Sequence, residues 1–178
     1  MKVQILKKEK TAIMIQARTG SKRFPKKVLC EIEGKPMIWH VLNRVKSINP
    51  QFRIILLTTK KSEDRILLKI ASESGVESFA GDTNDVLKRY YDCAEQNQIN
   101  TIIRVTGDCP LIDPGLIKKM VKLYDKSKFD YLTNTLVPTF PDGLDTEIFS
   151  FKTLKILIIL KFALDLNCKN FKSKNMIN

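Results

Sequence analysis

The sequence is poor in the residues that build zinc sites. Its 178 residues include one histidine, His40, and four widely spaced cysteines with no CxxC pair. This composition does not predict a zinc site. Free thiols are typical of proteins in a reducing compartment, so we expect a cytoplasmic location.

Long apolar runs are also lacking. The five-residue aliphatic run at 156–160 is too short to span a bilayer. Residues 1–10 have no extended apolar stretch and no small-residue cleavage site, so a signal peptide is not expected. With 43% hydrophobic and 28% charged residues, the composition favours a globular domain and excludes a disordered chain, and we expect no membrane partner.

Negative charge is scarce relative to positive charge, and the net charge is +12. About half of the excess lies in residues 1–10 and 156–178, which we interpret as a basic N-terminal extension and an atypical tail. Such a balance indicates nucleic acid, anionic lipid, a polyphosphate ligand or simply a lysine-rich surface. No recognition-helix or RNA-binding pattern occurs, so a nucleic-acid partner is the weakest of these.

Between the two ends, residues 11–155 alternate apolar strands with amphipathic helices. This alternation predicts an α/β fold with a doubly wound, mostly parallel sheet. Ligands of such sheets bind beyond the carboxyl ends of the strands. The predicted strands are 11–16, 52–59, 76–79, 101–107 and 129–134, and the predicted helices are 35–48, 62–75, 84–97, one opening at Pro114 and one continuing from about Ser150 as a buried helix.

The segment "QARTGSKRFPKK" at 16–27 follows the first strand and carries most of the local charge. Gly20 allows backbone conformations that are costly for other residues and lets the main chain approach a ligand. Backbone N–H groups with fixed cations suit a triphosphate. The segment matches neither a Walker A loop nor GxGxxG, and an ordinary basic loop stays open as the alternative. Its cations are Arg18, Lys22, Arg23, Lys26 and Lys27.

Two further segments carry acids in suitable positions. Asp108 in "RVTGDCPLIDP" follows a buried strand and could bind Mg²⁺ together with ligand phosphates, or could simply form a turn beside Gly107. Asp113 is better explained as a helix cap. In "TFPDGLDTEIFS", Asp142 marks a turn, while Asp145 and Glu147 face one side of an extended segment that binds an acceptor or forms a solvated hairpin edge.

Other side chains carry weaker signals. His40, beside Trp39, fits a packing or surface role better than catalysis. The pair Tyr90 and Tyr91, next to Arg89, fits core packing better than stacking on a base. Thr58 and Thr59 close the second strand, where they line a nucleotide pocket or serve as β-branched strand residues.

Five motifs taken together resemble the CMP-sugar cytidylyltransferases, which include the acylneuraminate and 3-deoxy-manno-octulosonate cytidylyltransferases. The closer resemblance is to the branch of spore coat polysaccharide biosynthesis protein F. That branch has "IIQARxGSxRxPxKVL", "GKPxxxHVxxR", "GxxxDVLxRY", "RxTGDCPLIDP" and "YPDGLDxExF", and close versions of all five occur in order over about residues 12–155.

The resemblance implies a three-layer α/β/α sandwich of the nucleotide-diphospho-sugar transferase type. It implies transfer of CMP from CTP to an acidic sugar, like a sialic acid or Kdo, with release of pyrophosphate and the help of Mg²⁺, in surface polysaccharide synthesis. Arg23, Lys27 and Asp108 would be catalytic, and Asp108 would hold the metal. The implied nucleotide-binding residues are Ala17, Arg18, Gly20, Ser21, Arg23, Lys27, Thr58, Thr59 and Arg104, and the implied sugar-binding residues are Asp142, Asp145 and Glu147.

One feature departs from this pattern. Members of the family are longer and often homodimeric, and a later segment of the "VDxxED" kind is not present in this sequence. We therefore keep as the alternative a truncated chain that binds a nucleotide without turnover and lacks the segment for dimerisation.

Overall fold

A six-stranded sheet forms the centre of the protein. The computed structural model describes residues 10–21, 23–49, 51–127, 129–137 and 140–174, with side chains up to residue 162. The predicted extension at 1–10 thus lies almost wholly outside the described residues. The strands are β1 (Thr11–Gln16), β2 (Glu31–Ile32), β3 (Lys35–Pro36), β4 (Arg53–Thr59), β5 (Glu77–Gly81), β6 (Thr101–Thr106), β7 (Tyr131–Thr133) and β8 (Glu147–Ser150).

Five α-helices follow strands along the chain, and two short 3₁₀ turns, Lys27–Leu29 and Ser62–Asp64, lie between them. Gly75, at φ 62°, ends the second helix where the sequence places its stop. The helices are α1 (Met37–Lys46), α2 (Arg65–Glu73), α3 (Val86–Gln96), α4 (Pro114–Lys126) and α5 (Phe151–Lys174).

The main sheet has the strand order β5-β4-β1-β6-β8-β7, and β2 and β3 pair as a separate small hairpin. The four strands from β5 to β6 run parallel, whereas β8 is antiparallel to both of its neighbours. The carboxyl ends of β1 and β6 therefore lie side by side, with Gln16 opposite Thr106. This pairing puts the loops that leave both strands at one edge of the sheet.

The core lies on both faces of the sheet. Residues of α1, α2 and α4 pack on one face against Ile13 and Ile15 of β1. Residues of α3 and the start of α5 pack on the other face against Ala12 and Met14. Because alternate residues of β1 are buried on opposite faces, the strand is apolar throughout. The predicted three-layer α/β/α sandwich with a mostly parallel sheet is confirmed.

The structure differs from the prediction in a few elements. β8 was not counted among the predicted strands, although the extended segment predicted around Asp145 and Glu147 overlaps its start, and its four residues depend on pairing with β6 and β7. Pro36, which falls inside the predicted helix 35–48, lies in β3 immediately before α1. The helix after Ser150 is present, but beyond Leu154 most of its described side chains are exposed, so the expectation of a buried helix is wrong. The expected boundary at residue 155 falls inside this helix.

Candidate functional site

A cavity of about 380 Å³ opens at the carboxyl ends of β1 and β6. Six of the residues singled out in the sequence line it, and they come from two loops that are distant along the chain. Three cations and one acid face the same space, as a polyanion with a divalent metal would require. The lining residues are Gln16, Ala17, Arg18, Ser21, Arg23, Lys27, Val28, Thr106 and Asp108.

The first loop starts where β1 stops pairing. Ala17 still donates its backbone N–H to the Leu57 carbonyl of β4 at 3.0 Å, and Ala17 is buried. Arg18 is the first exposed residue. The chain then turns back through Pro25 into the 3₁₀ turn that begins at Lys27. This path returns the cation of Lys27 to the end of the strand from which the loop departed.

Lys27 and Asp108 join the two loops. The Lys27 ammonium group donates a hydrogen bond to the Asp108 carboxylate, with Nζ 3.0 Å from Oδ2. Burial raises the pKa of Asp108, but the hydrogen bond and the charge of Lys27 outweigh it and hold that pKa below its ordinary value. Asp108 is therefore an anion at neutral pH, in a position to bind a metal ion.

Close packing of the backbone brings the second loop to the cavity. Gly107 donates its N–H to the Gln16 carbonyl at 2.8 Å. A Cβ atom on Gly107 would lie 2.8 Å from the Cβ of Ala17 and 2.9 Å from the Gln16 oxygen. The glycine of "TGDCP" is needed because β1 and its loop pass directly over it.

Three lining residues were not among those predicted: Gln16, Val28 and Thr106. Each lies directly beside a predicted residue or at a strand end. That position in the sequence could have identified it as a cavity-lining residue. Gln16 is notable because its Oε1 atom is buried and has no hydrogen-bond partner among the described residues. An acceptor left unpaired at the edge of a cavity is suited to a donor group of a ligand.

Gly20 and Thr59 lie at a small neighbouring cleft of about 40 Å³, which shares Arg18 with the main cavity. The backbone of Gly20 is not in the left-handed region, so that part of the expectation for it is wrong. Space is the reason for a glycine here, since a Cβ atom would lie 3.2 Å from Glu63 Oε1. Lys26, in the same loop, has a left-handed backbone with φ 58°.

The two threonines that close β4 are both buried. Thr59 donates its hydroxyl to the carboxylate of Asp64, and the Thr58 hydroxyl has no partner among the described residues. Glu63 and Asp64, which open the predicted helix 62–75, lie in the 3₁₀ turn before α2, and Asp64 is 1% exposed. Sequence reasoning did not identify Asp64 as part of the site, because an acid before a helix is usually explained by the helix dipole.

The three acids of the predicted acceptor segment differ in burial and in their contacts. Glu147 forms an ion pair with Arg104 on the neighbouring strand, so the two predicted residues are brought together. Asp145 is half-buried and lies near Cys109, whose pKa is raised by burial and by the carboxylates of Asp108 and Asp145. Asp142 is exposed, and its carboxylate accepts the N–H of Gly143 in the expected turn.

The weaker candidates have structural roles. His40 contacts Trp39, with ring centroids 5.0 Å apart, and its Nε2 lies 2.8 Å from the Ile32 carbonyl oxygen. Tyr90 is buried in the core, whereas Tyr91 packs on Phe151. Asp113 caps α4 by accepting the N–H of Gly115 at 2.7 Å, as predicted.

Arg89, which was only a minor candidate in the sequence, is fully buried. Its Nε and Nη2 atoms donate to the Asp82 carbonyl at 2.9 and 2.7 Å. Its Nη1 atom has no partner among the described residues. Gly81 is required beside it, since a Cβ atom there would lie 2.6 Å from Arg89 Cγ. Arg89 therefore fixes the loop after β5.

A larger cavity of about 510 Å³ lies beside α1 and is mainly apolar. Its one cation, Arg44, already donates to the Ile112 carbonyl at 2.7 Å. This cavity therefore offers little to a polyanion, and the cavity of Lys27 and Asp108 is the candidate site.

Among the described residues, no group of three or more His, Cys, Asp or Glu side chains is placed to hold a metal ion. A metal at Asp108 would need further oxygen ligands from a bound molecule and from water. In the same residues, no helix has the length and apolar character needed to cross a membrane.

Comparison with known proteins shows clear similarity. Residues 12–161 match the family model described as "Cytidylyltransferase". An uncharacterised protein of Methanocaldococcus jannaschii is 37% identical over 80% of this chain and 57% of its own length. The spore coat polysaccharide biosynthesis protein SpsF of Bacillus subtilis is 30% identical over 76% of this chain and 57% of its own.

An 8-amino-3,8-dideoxy-manno-octulosonate cytidylyltransferase of Shewanella frigidimarina is 34% identical over 71% of this chain and 52% of its own length. Among solved structures, a cytidylyltransferase from Leptospira borgpetersenii is 39% identical, with a TM-score of 0.79, over 83% of this chain and 63% of its own. The matched region thus spans about half of these curated relatives.

Proposed function

Because the chain belongs to the cytidylyltransferase family, we propose that it transfers CMP from CTP to a hydroxyl group of an acidic sugar and releases pyrophosphate. The observation that carries the proposal is the convergence of Arg18, Arg23, Lys27 and Asp108 on one cavity. We propose a cytoplasmic role in the synthesis of surface polysaccharide, which agrees with the name of the Bacillus subtilis relative.

Charge explains why this cavity suits the reaction. The acceptor hydroxyl attacks the α-phosphorus, and the bond from that phosphorus to the leaving pyrophosphate breaks. Negative charge grows on the α-phosphate oxygens and on the leaving group. Fixed guanidinium and ammonium groups stabilise that charge, and the protein need supply no nucleophile of its own. Arg23 and Lys27 have the charge and the position for this role.

Mg²⁺ is the proposed cofactor, and Asp108 is the residue that would hold it. The donor set fits the ion when CTP is present, because Mg²⁺ takes one or two carboxylates together with phosphate oxygens and water. The ion supplies neutralisation of phosphate charge when it is bound. Lys27, which is 3.0 Å from Asp108, is then free to turn its ammonium group towards a phosphate.

The acceptor would lie on the side of the cavity nearest to β8. Glu147 begins β8 and pairs with Arg104, Asp145 comes two residues before it, and Asp142 lies in the exposed turn. These side chains offer hydrogen bonds to sugar hydroxyls, which suits the polyhydroxylated acids named among the relatives. Which acidic sugar is the acceptor would be determined by assaying a panel of them.

The test is pyrophosphate release from CTP with Mg²⁺ and a panel of eight-carbon and nine-carbon acidic sugars. The expected result is release with at least one acceptor and none without Mg²⁺. CTP binding without release for any acceptor would favour the alternative, a nucleotide-binding chain without turnover. Failure to bind CTP, combined with salt-dependent binding of arbitrary DNA, would overturn both and favour a nucleic-acid role.

A further inference from the structure

Asp64 is a buried acid that makes three hydrogen bonds and is far in sequence from the loop it contacts. Its side chain is 1% exposed. Oδ1 accepts the backbone N–H of Thr19 at 2.7 Å and the hydroxyl of the same residue at 2.7 Å. Oδ2 accepts the hydroxyl of Thr59, which in turn accepts the N–H of Lys61 at 3.2 Å. Both oxygens are therefore engaged.

These contacts converge on one residue of the phosphate-facing loop. Thr19 gives its N–H and its hydroxyl to Asp64, and its carbonyl accepts the N–H groups of Ser21 and Lys26, each at 2.9 Å. Thr19 itself is 4% exposed and does not line the main cavity. Its neighbours Arg18 and Ser21 do line it. Thr19 is thus the anchor from which both sides of the loop are held.

Burying a carboxylate is costly unless hydrogen bonds compensate it. Burial raises the pKa of Asp64, but the hydrogen bonds from Thr59 and Thr19 outweigh burial and hold the pKa below its ordinary value. The charge is therefore retained, and charge-assisted hydrogen bonds are stronger than neutral ones. An anchor of this kind keeps the loop rigid before a ligand arrives, which lowers the entropy cost of binding.

We propose that Asp64 is a positioning residue that holds Thr19, and through it Arg18 and Ser21, in the conformation that receives the triphosphate of a nucleotide. This inference rests on the proposed function for the identity of the ligand. Its structural part, the anchoring of the loop, does not depend on that function. The two parts can therefore be tested separately.

The first experiment measures the loop itself. Trypsin cuts after Arg18 and Arg23 only when the loop opens, so the rate of cutting reports its rigidity. Asp64→Ala should raise that rate about 10-fold or more, since hydrogen bonds to a charged group are lost. Asp64→Asn keeps Oδ1 as an acceptor for Thr19 and should restore most of the protection. Cutting elsewhere and the Tm of Asp64→Asn should change little.

The second experiment measures CTP with Mg²⁺ by titration calorimetry. Asp64→Ala should weaken binding about 10-fold, and Asp64→Asn should weaken it clearly less. Thr19→Val removes one of the three donors and should give an intermediate loss. Thr153→Val is the matched control, because that hydroxyl donates to the Asp130 carbonyl far from the cavity and its loss should leave CTP affinity unchanged.

Several outcomes distinguish the two ideas. If the wild-type chain binds no CTP but Asp64→Ala still loosens the loop, the proposed function is wrong and the anchor is supported. If Asp64→Ala unfolds the chain, Asp64→Asn and Thr19→Val carry the test. The inference is overturned if Thr19→Val, and Asp64→Ala where it folds, leave both cutting after Arg18 and CTP affinity unchanged.

Discussion

The ammonium group of Lys27 lies 3.0 Å from a carboxylate oxygen of Asp108, joining two loops that are 81 residues apart in sequence. Both side chains are about 40% exposed, at 39% and 43%. An ion pair this exposed contributes at most about 1 kcal/mol to stability. The ion pair is therefore better explained by a role in the candidate site than by a contribution to the stability of the fold.

Asp108→Ala should leave the Tm nearly unchanged and reduce Mg²⁺-dependent pyrophosphate release by about 100-fold or more, because the proposed metal ligand is lost. Asp108→Asn keeps the shape without the charge and should be almost as inactive. Release would be followed by a coupled phosphate assay over a Mg²⁺ series. If Asp108→Ala retained metal-dependent release, the metal assignment would be wrong.

Arg23→Ala should weaken CTP binding about 10-fold without unfolding the protein, because its exposed side chain faces the cavity and a charge-assisted contact is lost. The measurement is the Kd for CTP by calorimetry. Lys119→Ala removes the same charge from an exposed position on α4 and should leave the Kd unchanged. Equal losses in both variants would show that only overall charge matters.

Gly107→Ala should destabilise the protein by about 1–3 kcal/mol, since the new methyl group would overlap the end of β1. The expected contacts are 2.8 Å to Ala17 and 2.9 Å to the Gln16 oxygen. The measurement is urea unfolding, with Gly34→Ala as a comparison in which no atom lies near the new Cβ. Gly34 has φ 71°, so its cost should come from backbone strain alone. A stable Gly107→Ala with unchanged CTP affinity would contradict the tight approach.

The free energy of unfolding should decrease as the pH falls below about 4, in part because of Asp64. Its pKa is lower in the folded protein than in the unfolded chain. The stability it contributes is thus fully present above the ordinary carboxyl pKa and is lost as the pH falls towards the folded value. Asp64→Asn does not titrate, so the stability difference between wild type and this variant should shrink between pH 5 and pH 3, measured by urea unfolding. A constant difference would argue against a charged Asp64.

Cys93 should resist alkylation in the native protein. It is fully buried, and burial raises its pKa to about 12, so little thiolate forms at pH 8. Cys30 is only half-buried and should react before Cys93. Iodoacetamide labelling followed by peptide mass spectrometry checks the order, and labelling in urea should reach both residues. Rapid native labelling of Cys93 would contradict its placement in the core.

Much of the fold follows from local sequence. The apolar strand "TAIMIQ" and the helix opened by Asp113 and Pro114 lie where the sequence predicts them, because periodicity and capping act over a few residues. The strand β8 was not among the predicted strands because Glu147–Ser150 is only four residues long and depends on pairing with β6 and β7. Strand pairing depends on residues that are distant in the sequence, so a local pattern does not reveal it.

The candidate site shows the same division. Arg18, Ser21, Arg23, Lys27 and Asp108 were identified from motifs, and the fold places all of them around one cavity. Asp64 was not identified, since nothing in its own segment indicates that its carboxylate turns inward to Thr19. A buried hydrogen bond between residues 45 positions apart depends on the packing of α2 against β4.

The sequence by itself determined the alternation of the five predicted strands with helices and the charge carried by each loop, because both depend on residues close together in the chain. Only the tertiary structure decided that the loops after β1 and β6 share one cavity, that Lys27 meets Asp108, and that Asp64 anchors Thr19. The physical reason is that parallel pairing places the carboxyl ends of neighbouring strands side by side. Polar groups that become buried there then need hydrogen-bond partners.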